Sequence, residues 1–540
     1  MKKLVTVLFS IMLVVFLSTS VWAGDVFTRD WIIPADTLDI GGFGHIIAGL
    51  DLDGDGYSEI YAINSDWHDV MGKDLIPRIY KYEREANGDW SKVWSTRLPL
   101  DFQNTWGALT YGDIDQDGKG EVIWGPCNNF GGGLQPNPER IVIFETPGDG
   151  TDNMGVQNPD GTWRPNAQWT ITANPSENIR PFRWYVNDID GDGHDEIVAG
   201  CRAGDGIEVY SVDTVPDAAD STETWSLEFS GVSETFYDIA IMNGVIYGID
   251  NDGDVWAVKY DAVGDSFVVA DPQNDIAGLG SWKSAQTVDI DNDGTDEIIL
   301  ASWNASNNDI YLLQQSGDTL VSTMIKNVPD ASYRSYGGAV GDVDNNGLLD
   351  FVFGTRQSTP NGIIHRLAYQ GGSITDSLNW KLTVIDSLID TIVVQYDITA
   401  MADVDGDGLD EVLYSGTPRG ALPTDPPPPI VILSVDLTGI DQGQTTVVED
   451  FKLEQNYPNP FNPETQIRFT IPRALPVRLN VYNIRGQLVR TLVNSAMTAG
   501  SHTVRWDGLD NHGVKVASGV YVYSIKAGEF VQAKKMTMLK

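Results

Sequence analysis

Six copies of a nine-residue acidic motif lie between residues 51 and 411 of this chain. The motif reads Asp-x-Asp-x-Asp-Gly-x-x-Glu, and the exceptions are Asn346 at position 5 and Asp350 at position 9 of the fifth copy. The glycine permits a sharp turn that brings the odd-numbered residues to one side. A short loop lined by oxygen atoms suits a hard cation, so we predict calcium at up to six sites.

Positions 1, 3, 5 and 9 would supply side-chain oxygens, and position 7 would supply its backbone carbonyl. The predicted metal ligands are Asp51, Asp53, Asp55, Tyr57 and Glu59; Asp113, Asp115, Asp117, Lys119 and Glu121; Asp188, Asp190, Asp192, His194 and Glu196; Asp289, Asp291, Asp293, Thr295 and Glu297; Asp342, Asp344, Asn346, Leu348 and Asp350; and Asp403, Asp405, Asp407, Leu409 and Glu411. The alternative is a set of acidic turns without metal, but the clustered carboxylates of each copy would then repel one another.

The residues after each copy exclude an EF-hand, which needs a glutamate at position 12 and a following helix. Position 12 is Ala62, Trp124, Ala199, Leu300, Phe353 and Tyr414 in the six copies. The runs that follow position 9, such as Ile-Val-Ala-Gly and Ile-Ile-Leu-Ala, are typical of buried strands. Each loop is therefore predicted to join two strands.

Each copy is followed by further strand-like segments, which gives a repeating unit of about four strands. A similar unit without the acidic motif lies at residues 237–260, where an Asn-Gly turn replaces the loop. The last unit lacks a clear fourth strand, whereas residues 27–33 are strand-like and belong to no unit. We predict that residues 27–33 supply the fourth strand of the last unit. Four-stranded units repeating at this interval, with little helical pattern, predict an all-β, seven-bladed β-propeller.

The loops and their setting resemble the FG-GAP or VCBS repeats of calcium-binding seven-bladed propellers, the arrangement also found in the head of integrin α chains. The resemblance covers roughly residues 26–437. Five of the copies carry Glu at position 9, where that family usually has Asp. The resemblance implies a calcium-stabilised binding scaffold.

Residues 1–23 have the form of a secretory signal peptide, with Lys2-Lys3, an apolar run and cleavage predicted near Ala23. No later segment is apolar for long enough to be a transmembrane helix. Residues 24–450 contain 21 Lys and Arg against 71 Asp and Glu, which disfavours nucleic acid as a partner. Cys127 and Cys201 follow equivalent strands, so they form either one disulfide or two buried thiols.

Residues 24–437 are assigned to the propeller, 438–450 to a polar linker, and 451–540 to a small Ig-like β-sandwich. The last segment resembles the C-terminal sorting domain of type IX secretion cargo in its Asn-Tyr-Pro-Asn-Pro start, its Ala517-Ser-Gly-Val-Tyr521 strand and its Lys534–Lys540 end. The resemblance implies recognition by an outer-membrane translocon and a final location on or outside a Gram-negative cell. A plain adhesive sandwich is the alternative.

No nucleophile elbow, zinc-protease motif or phosphate-binding loop is present in the sequence. The favoured function is a secreted or surface binding and adhesion module, and the alternative is a lyase or hydrolase acting on polysaccharides. A propeller has a second face opposite the acidic loops, which we call the mouth. Basic and aromatic residues predicted there, as contacts for a glycan or an acidic protein loop, are Trp106, Arg180, Arg183, Trp184, Arg202, Trp282, Lys283, Arg334, Tyr336, Arg356 and Arg419. The competing interpretation is that these aromatics pack between blades and the arginines pair with nearby aspartates.

Overall fold

The computed structural model contains two compact units, residues 1–437 and 438–540. It describes residues 26–436 except for 37, 40, 66–75, 99–106, 127–140, 170–180, 203–205, 218–222, 233, 277, 279, 304–308, 329–333, 357–361, 388–391, 394–398 and 419–426. In the second unit it describes residues 452–539 except for 454, 457–458, 460, 462–464, 472–474, 484, 486, 498–499, 507, 512–514 and 528–529. The predicted signal peptide and linker lie outside these residues.

The first unit is built from seven four-stranded antiparallel sheets, which are the blades of a β-propeller. The strands, blade by blade, are β2 (Phe43–Leu50), β3 (Glu59–Asn64), β4 (Arg78–Arg84) and β5 (Trp90–Arg97); β6 (Ala108–Gly112), β7 (Glu121–Gly125), β8 (Ile141–Glu145) and β11 (Ala167–Trp169); β12 (Pro181–Asn187), β13 (Glu196–Cys201), β14 (Ile207–Val212) and β15 (Trp225–Gly231); β16 (Phe236–Met242), β17 (Val245–Asp250), β18 (Val255–Asp261) and β19 (Ser266–Val269); β20 (Gln286–Val288), β21 (Glu297–Ala301), β22 (Asp309–Ser316) and β23 (Thr319–Asn327); β24 (Arg334–Gly341), β25 (Asp350–Arg356), β26 (Ile363–Tyr369) and β27 (Trp380–Ser387); and β29 (Thr399–Ala402), β30 (Glu411–Tyr414), β32 (Ile430–Asp436) and β1 (Val26–Ile33).

The first strands of successive blades touch one another in a closed ring. Strand β2 contacts β6, the contacts continue through β12, β16, β20, β24 and β29, and β29 contacts β2 again. Strand β1 is the outer strand of the last blade, where it pairs antiparallel with β32 from Val26↔Asp436 to Ile33↔Ile430. The chain therefore closes its ring with its own first strand, as the sequence predicted.

Apolar side chains between neighbouring blades form the core. Every residue of β3, β7 and β13 is buried, as expected for central strands covered on both faces. Tyr61, Trp94, Trp124 and Phe144 belong to one such interblade cluster. Neighbouring blades also approach closely at Gly125. Only glycine fits there, because a Cβ would lie 2.6 Å from the Trp184 ring of the next blade.

The fourth blade has no acidic loop, as predicted. Strands β16 and β17 are joined by Asn243-Gly244, with Met242 paired to Val245. Both turn residues have positive φ values, 53° and 70°, the backbone twist that a two-residue hairpin needs.

Short elements lie outside the seven sheets. Strands β9 (Val156–Gln157) and β10 (Trp163–Arg164) form a hairpin inserted before β11, and β28 (Ile392–Val393) pairs with β31 (Thr417–Pro418). A 3-10 turn at Ser377–Asn379 precedes β27. None of the helices among the described residues is long and apolar enough to cross a membrane.

The second unit is a β-sandwich. Strands β33 (Lys452–Leu453), β34 (Thr465–Ile471) and β37 (Gly500–Trp506) form one sheet, and β36 (Leu488–Met497), β35 (Leu475–Asn483), β38 (Gly519–Ala527) and β39 (Phe530–Met538) form the other. Its core includes Phe469, Trp506 and Tyr523. The fold class expected from the sequence, all-β with a propeller and a sandwich, is confirmed.

Candidate functional site

The six acidic motifs form loops between the first and second strands of six blades, all at the same end of the sheets. We name each loop by its first residue: loops 51, 113, 188, 289, 342 and 403. In every loop the position-1 aspartate accepts a hydrogen bond from the backbone N–H of the glycine at position 6, at 2.7–3.2 Å. The position-5 side chain accepts one from the N–H of position 7, at 2.8–2.9 Å. The repeated sequence thus produces one repeated turn.

The position-9 carboxylate starts the second strand of each blade and is buried under its loop. Its exposed fraction is at most 2% in all six copies. One of its oxygens accepts a hydrogen bond of 2.8–3.2 Å from the N–H of position 2. The second oxygen remains available to a ligand in the loop unless another side chain takes it.

Burial raises the pKa of these position-9 carboxyls, and the neighbouring carboxylates of the loop add to the shift. The pKa of Glu121 rises to about 9, and those of Glu196 and Glu411 to about 8. Glu121, Glu196 and Glu411 therefore lack a nearby positive charge that would keep them ionised near neutral pH. A divalent cation bound in the loop would supply that charge.

Loop 113 gathers four metal-binding groups, of which Asp117 also pairs with the partly exposed Lys119, whose Nζ lies 2.6 Å from Asp117 Oδ2. Asp113, Asp115, Asp117 and Glu121 each place one oxygen within 4.8 Å of the others. Asp113 Oδ1 and Glu121 Oε1 are buried and have no hydrogen-bond partner among the described residues. Oxygen atoms left in this state are costly unless a cation binds them, so the donor set fits calcium.

Loops 188 and 289 also gather their ligands. Asp188, Asp190 and Glu196 lie within ligand distance of one another. The same holds for Asp289, Asp291 and Glu297. Loop 403 has the same turn geometry, and Arg84 of the first blade contacts its position-3 residue: Nη2 lies 3.9 Å from Asp405 Oδ2, and Nη1 donates to the Asp405 carbonyl.

Loops 51 and 342 differ, because a buried basic side chain already occupies the space beneath them. Lys81 Nζ lies 2.5 Å from Asp53 Oδ2 and 2.7 Å from Glu59 Oε1, with the lysine side chain fully buried. Arg366 Nη2 lies 2.6 Å from Asp344 Oδ2, and its Nε lies 2.8 Å from Asp350 Oδ1. In both loops the basic side chain pairs with the carboxylates of positions 3 and 9.

Lys81 and Arg366 occupy the same place in their blades. Each sits on the third strand, opposite the residue two positions after the position-9 acid: Lys81 pairs with Tyr61, and Arg366 pairs with Val352. The equivalent residues beside the other four loops are apolar, namely Ile143, Val209, Leu312 and Ile432. Burial by itself lowers the pKa of Lys81 and of Arg366, but the hydrogen bonds that they donate to the carboxylates, together with the negative charge of those groups, outweigh it and raise both pKa values.

The sequence interpretation missed these two residues. A signal was present: both are charged residues at a third-strand position where the other acidic-loop blades carry Ile, Val or Leu.

Comparisons with known families agree with this geometry. A family model described as an FG-GAP-like repeat matches residues 51–124 and 289–353. FG-GAP-like repeats therefore occur twice in the propeller. Each match begins at position 1 of an acidic loop and spans two loops. A second family model, described as a FlgD Ig-like domain, matches residues 461–529 in the sandwich.

Two solved structures match the chain with low TM-scores. One is PorZ, described as an essential bacterial surface component of the type-IX secretion system of Porphyromonas gingivalis, with a TM-score of 0.39 and 12% identity over 94% of this chain and 60% of that one. The chain thus spans about 60% of the length of that protein. The other is BBS1N in complex with ARL6DN, with a TM-score of 0.39 and 10% identity over 76% of this chain and 99% of that one. No curated protein matches the sequence.

The structure buries several residues predicted to contact a ligand at the mouth. Trp282 and Tyr336 pack with Phe182 and Tyr237 in one aromatic cluster, where Trp282 stacks on Tyr237 at 4.0 Å between ring centroids. Trp184 is buried in the cluster between the second and third blades. These placements match the competing interpretation, in which the aromatics pack between blades.

The basic residues at the mouth fall into two groups. Arg183 and Lys283 are buried: Arg183 Nη1 donates to the Lys283 carbonyl at 2.9 Å, and Lys283 Nζ donates to the Gly107 carbonyl at 3.2 Å. Arg202 and Arg334 are half-buried, with their guanidinium groups over the rings of Tyr237 and Trp303.

The remaining predicted contacts are not described. Trp106, Arg180, Arg419 and the side chain of Arg356 lie outside the described residues. Cys127 does too, so the structure does not test whether Cys127 and Cys201 form a disulfide or two buried thiols.

Proposed function

We propose that this protein is an exported β-propeller that binds calcium at four loops and acts as a binding module outside the cell. The observation that carries the calcium assignment is loop 113. Four carboxylates converge there, and two buried oxygens, Asp113 Oδ1 and Glu121 Oε1, have no hydrogen-bond partner among the described residues. Loops 188, 289 and 403 share its turn geometry and have an apolar residue beneath them.

Loops 51 and 342 retain the acidic sequence but carry their own cation. Lys81 and Arg366 neutralise the position-3 and position-9 carboxylates that calcium would otherwise bind. A divalent ion entering either loop would have to displace a hydrogen-bonded, buried basic side chain. We therefore assign four calcium sites rather than six.

Calcium at these loops would stabilise the ring, because the loops also connect neighbouring blades. Asp115 Oδ2 accepts a hydrogen bond of 2.7 Å from the N–H of Val215 in the next blade. Gln116 Nε2 donates to the carbonyl of Gly193 in loop 188. The bound ion would neutralise the carboxylates of each loop and hold these side chains in the positions that make the interblade bonds.

The C-terminal sandwich is proposed to direct export through the type IX system. Three features support this: the FlgD Ig-like match, the sorting-domain resemblance, and the charge, with 12 Lys and Arg against 5 Asp and Glu in residues 451–540. The sandwich is thus basic, whereas the propeller is strongly acidic. The propeller would be the cargo that reaches the surface or the medium.

Calorimetry of the mature protein tests the calcium proposal. The melting temperature is measured in chelator, in calcium and in the same concentration of magnesium. We expect a substantial rise in calcium and a smaller one in magnesium, which demands stricter octahedral geometry. An identical transition in chelator and in calcium would refute the proposal.

A further inference from the structure

A cavity of about 1000 Å3 lies between the outer parts of the first two blades. Strand β5 forms one wall, and the β9–β10 hairpin forms the other. We call this cavity the rim pocket. Small-molecule pockets span roughly 300–1000 Å3, so the rim pocket is large enough for an oligosaccharide rather than a single ion.

The rim pocket is basic, although the propeller around it is strongly acidic. Arg78, Lys92, Arg97 and Arg164 line it, and Asp36 is the one acidic residue among its described lining residues. Residues 24–450 contain 71 Asp and Glu against 21 Lys and Arg. Four basic groups against one acidic group is therefore the reverse of the domain's overall balance.

Two of these basic groups have acidic partners within the protein. Arg78 Nη1 lies 3.0 Å from Asp39 Oδ1, and both side chains are buried. Lys92 Nζ lies 3.7 Å from Asp36 Oδ2 at a more exposed position. Both basic groups therefore have an internal acidic partner, and that of Arg78 is the closer and more buried.

Arg97 and Arg164 are different, because neither has an ion pair with any residue that the structure describes. Arg97 is exposed and lies directly opposite Arg78 on the neighbouring strand, where like charges repel. Arg164 Nη2 is buried and has no hydrogen-bond partner among the described residues. Arg164 is half-buried as a whole and has no acidic partner among the described residues, so its charge favours an anionic group bound in the pocket.

The hairpin that carries Arg164 is held rigidly. Thr96 Oγ1 of β5 donates a hydrogen bond of 2.8 Å to the Trp163 carbonyl. Gly155, at φ 80°, approaches so closely that a Cβ there would lie 2.5 Å from the Arg164 carbonyl oxygen. Trp163 and Arg164 are therefore preorganised beside Arg97, and the half-buried Trp163 also lines the pocket.

We infer that the rim pocket binds an acidic oligosaccharide, with its carboxylate or sulfate groups on Arg97 and Arg164 and a sugar ring against Trp163. Guanidinium groups pair with carboxylate and sulfate through parallel hydrogen bonds, and aromatic rings pack on the faces of sugars. The inference rests on the proposed binding role and names its ligand class. It moves the ligand from the mouth to the rim of the propeller.

Calorimetric titration of the calcium-loaded mature protein tests this. The probes are tetragalacturonate, a sulfated chondroitin tetrasaccharide, neutral cellotetraose and inorganic sulfate. We expect binding of at least one acidic tetrasaccharide that weakens with added salt, and little binding of cellotetraose or sulfate alone. The two acidic probes distinguish a carboxylate ligand from a sulfate ligand.

Two matched double variants locate the site. Arg97→Gln with Arg164→Gln should weaken binding at least 10-fold, because each substitution removes a charge-assisted hydrogen bond. Arg202→Gln with Arg334→Gln, at the mouth, should leave binding unchanged.

Loss of binding only in the mouth variant would overturn the assignment, as would equal affinity for cellotetraose or for sulfate. Absence of binding to both acidic probes would also overturn it. The calcium-induced rise in melting temperature is recorded for the same samples. If that rise persists while binding is absent, the rim-pocket inference fails and the calcium proposal stands.

Discussion

Replacing Lys81 with methionine would test whether a side chain stands in for calcium in loop 51. The ammonium group lies 2.5 Å and 2.7 Å from two buried carboxylates, which would face each other without compensation in Lys81→Met. Removing one partner of a buried ion pair costs about 3–5 kcal/mol. For a cooperative unit of about 400 residues, that corresponds to a melting temperature lower by about 4–6 °C in chelator.

Calcium should reverse this loss in the variant. Without Lys81, loop 51 has the same acidic ligands as loop 113 and an apolar residue beneath it. We therefore expect the variant to bind one more calcium ion than the wild type and to recover most of the lost melting temperature. Calorimetry in chelator and in calcium, with native mass spectrometry to count ions, measures both effects.

Lys259→Met is the matched control, since Lys259 is an exposed lysine on the third strand of the blade without an acidic loop. Its melting temperature and ion count should equal those of the wild type. The reasoning is wrong if Lys81→Met loses stability equally in chelator and in calcium with an unchanged ion count. In that case Lys81 would be a structural ion-pair residue with no relation to metal binding.

Two substitutions and one measurement on the unchanged protein test separate parts of the structure. Glu121→Gln should bind one calcium ion fewer than the wild type. In chelator its melting temperature should be no lower than that of the wild type, because a neutral amide avoids the cost of a buried charge. Calorimetry with ion counting measures both effects. Burial lowers the pKa of His365 to about 4. Neutral His365 therefore contributes stability that is fully present above its unfolded-state pKa of about 6.5 and is lost as the pH falls, by about 2 kcal/mol at pH 5. In denaturant unfolding of the calcium-loaded protein, the free energy of unfolding of His365→Leu should fall less at pH 5 than that of the wild type. The sorting-domain resemblance also implies that the C-terminal sandwich is removed after export, so mass spectrometry of the surface or secreted form should find a chain that ends near residues 438–450. An intact C-terminus at Lys540 would contradict that removal.

The repeated motif made most of the propeller predictable. Each acidic loop fixes a strand on either side, and the Asn243-Gly244 turn identified the blade that lacks a loop. The pairing of residues 27–33 with the last blade followed from counting strands. Local patterns were sufficient because each blade repeats the same short-range connections.

The contacts that distinguish one loop from another could not be predicted in the same way. Lys81 lies 22 residues beyond Glu59, and its role depends on the register between β3 and β4. The rim pocket depends on Arg97 and Arg164, which approach only because a hairpin inserted in the second blade packs against the first. The mouth prediction identified a basic and aromatic region, but the sequence did not show that Trp282 and Tyr336 pack against each other and that Lys283 is buried.

The number of calcium ions bound by the wild-type mature protein tests the central claim most directly. Native mass spectrometry of protein first stripped with chelator and then equilibrated with calcium gives that number. Four ions are expected, one each in loops 113, 188, 289 and 403. No bound ion would contradict calcium binding by the propeller, and six ions would contradict the assignment of Lys81 and Arg366 as built-in cations.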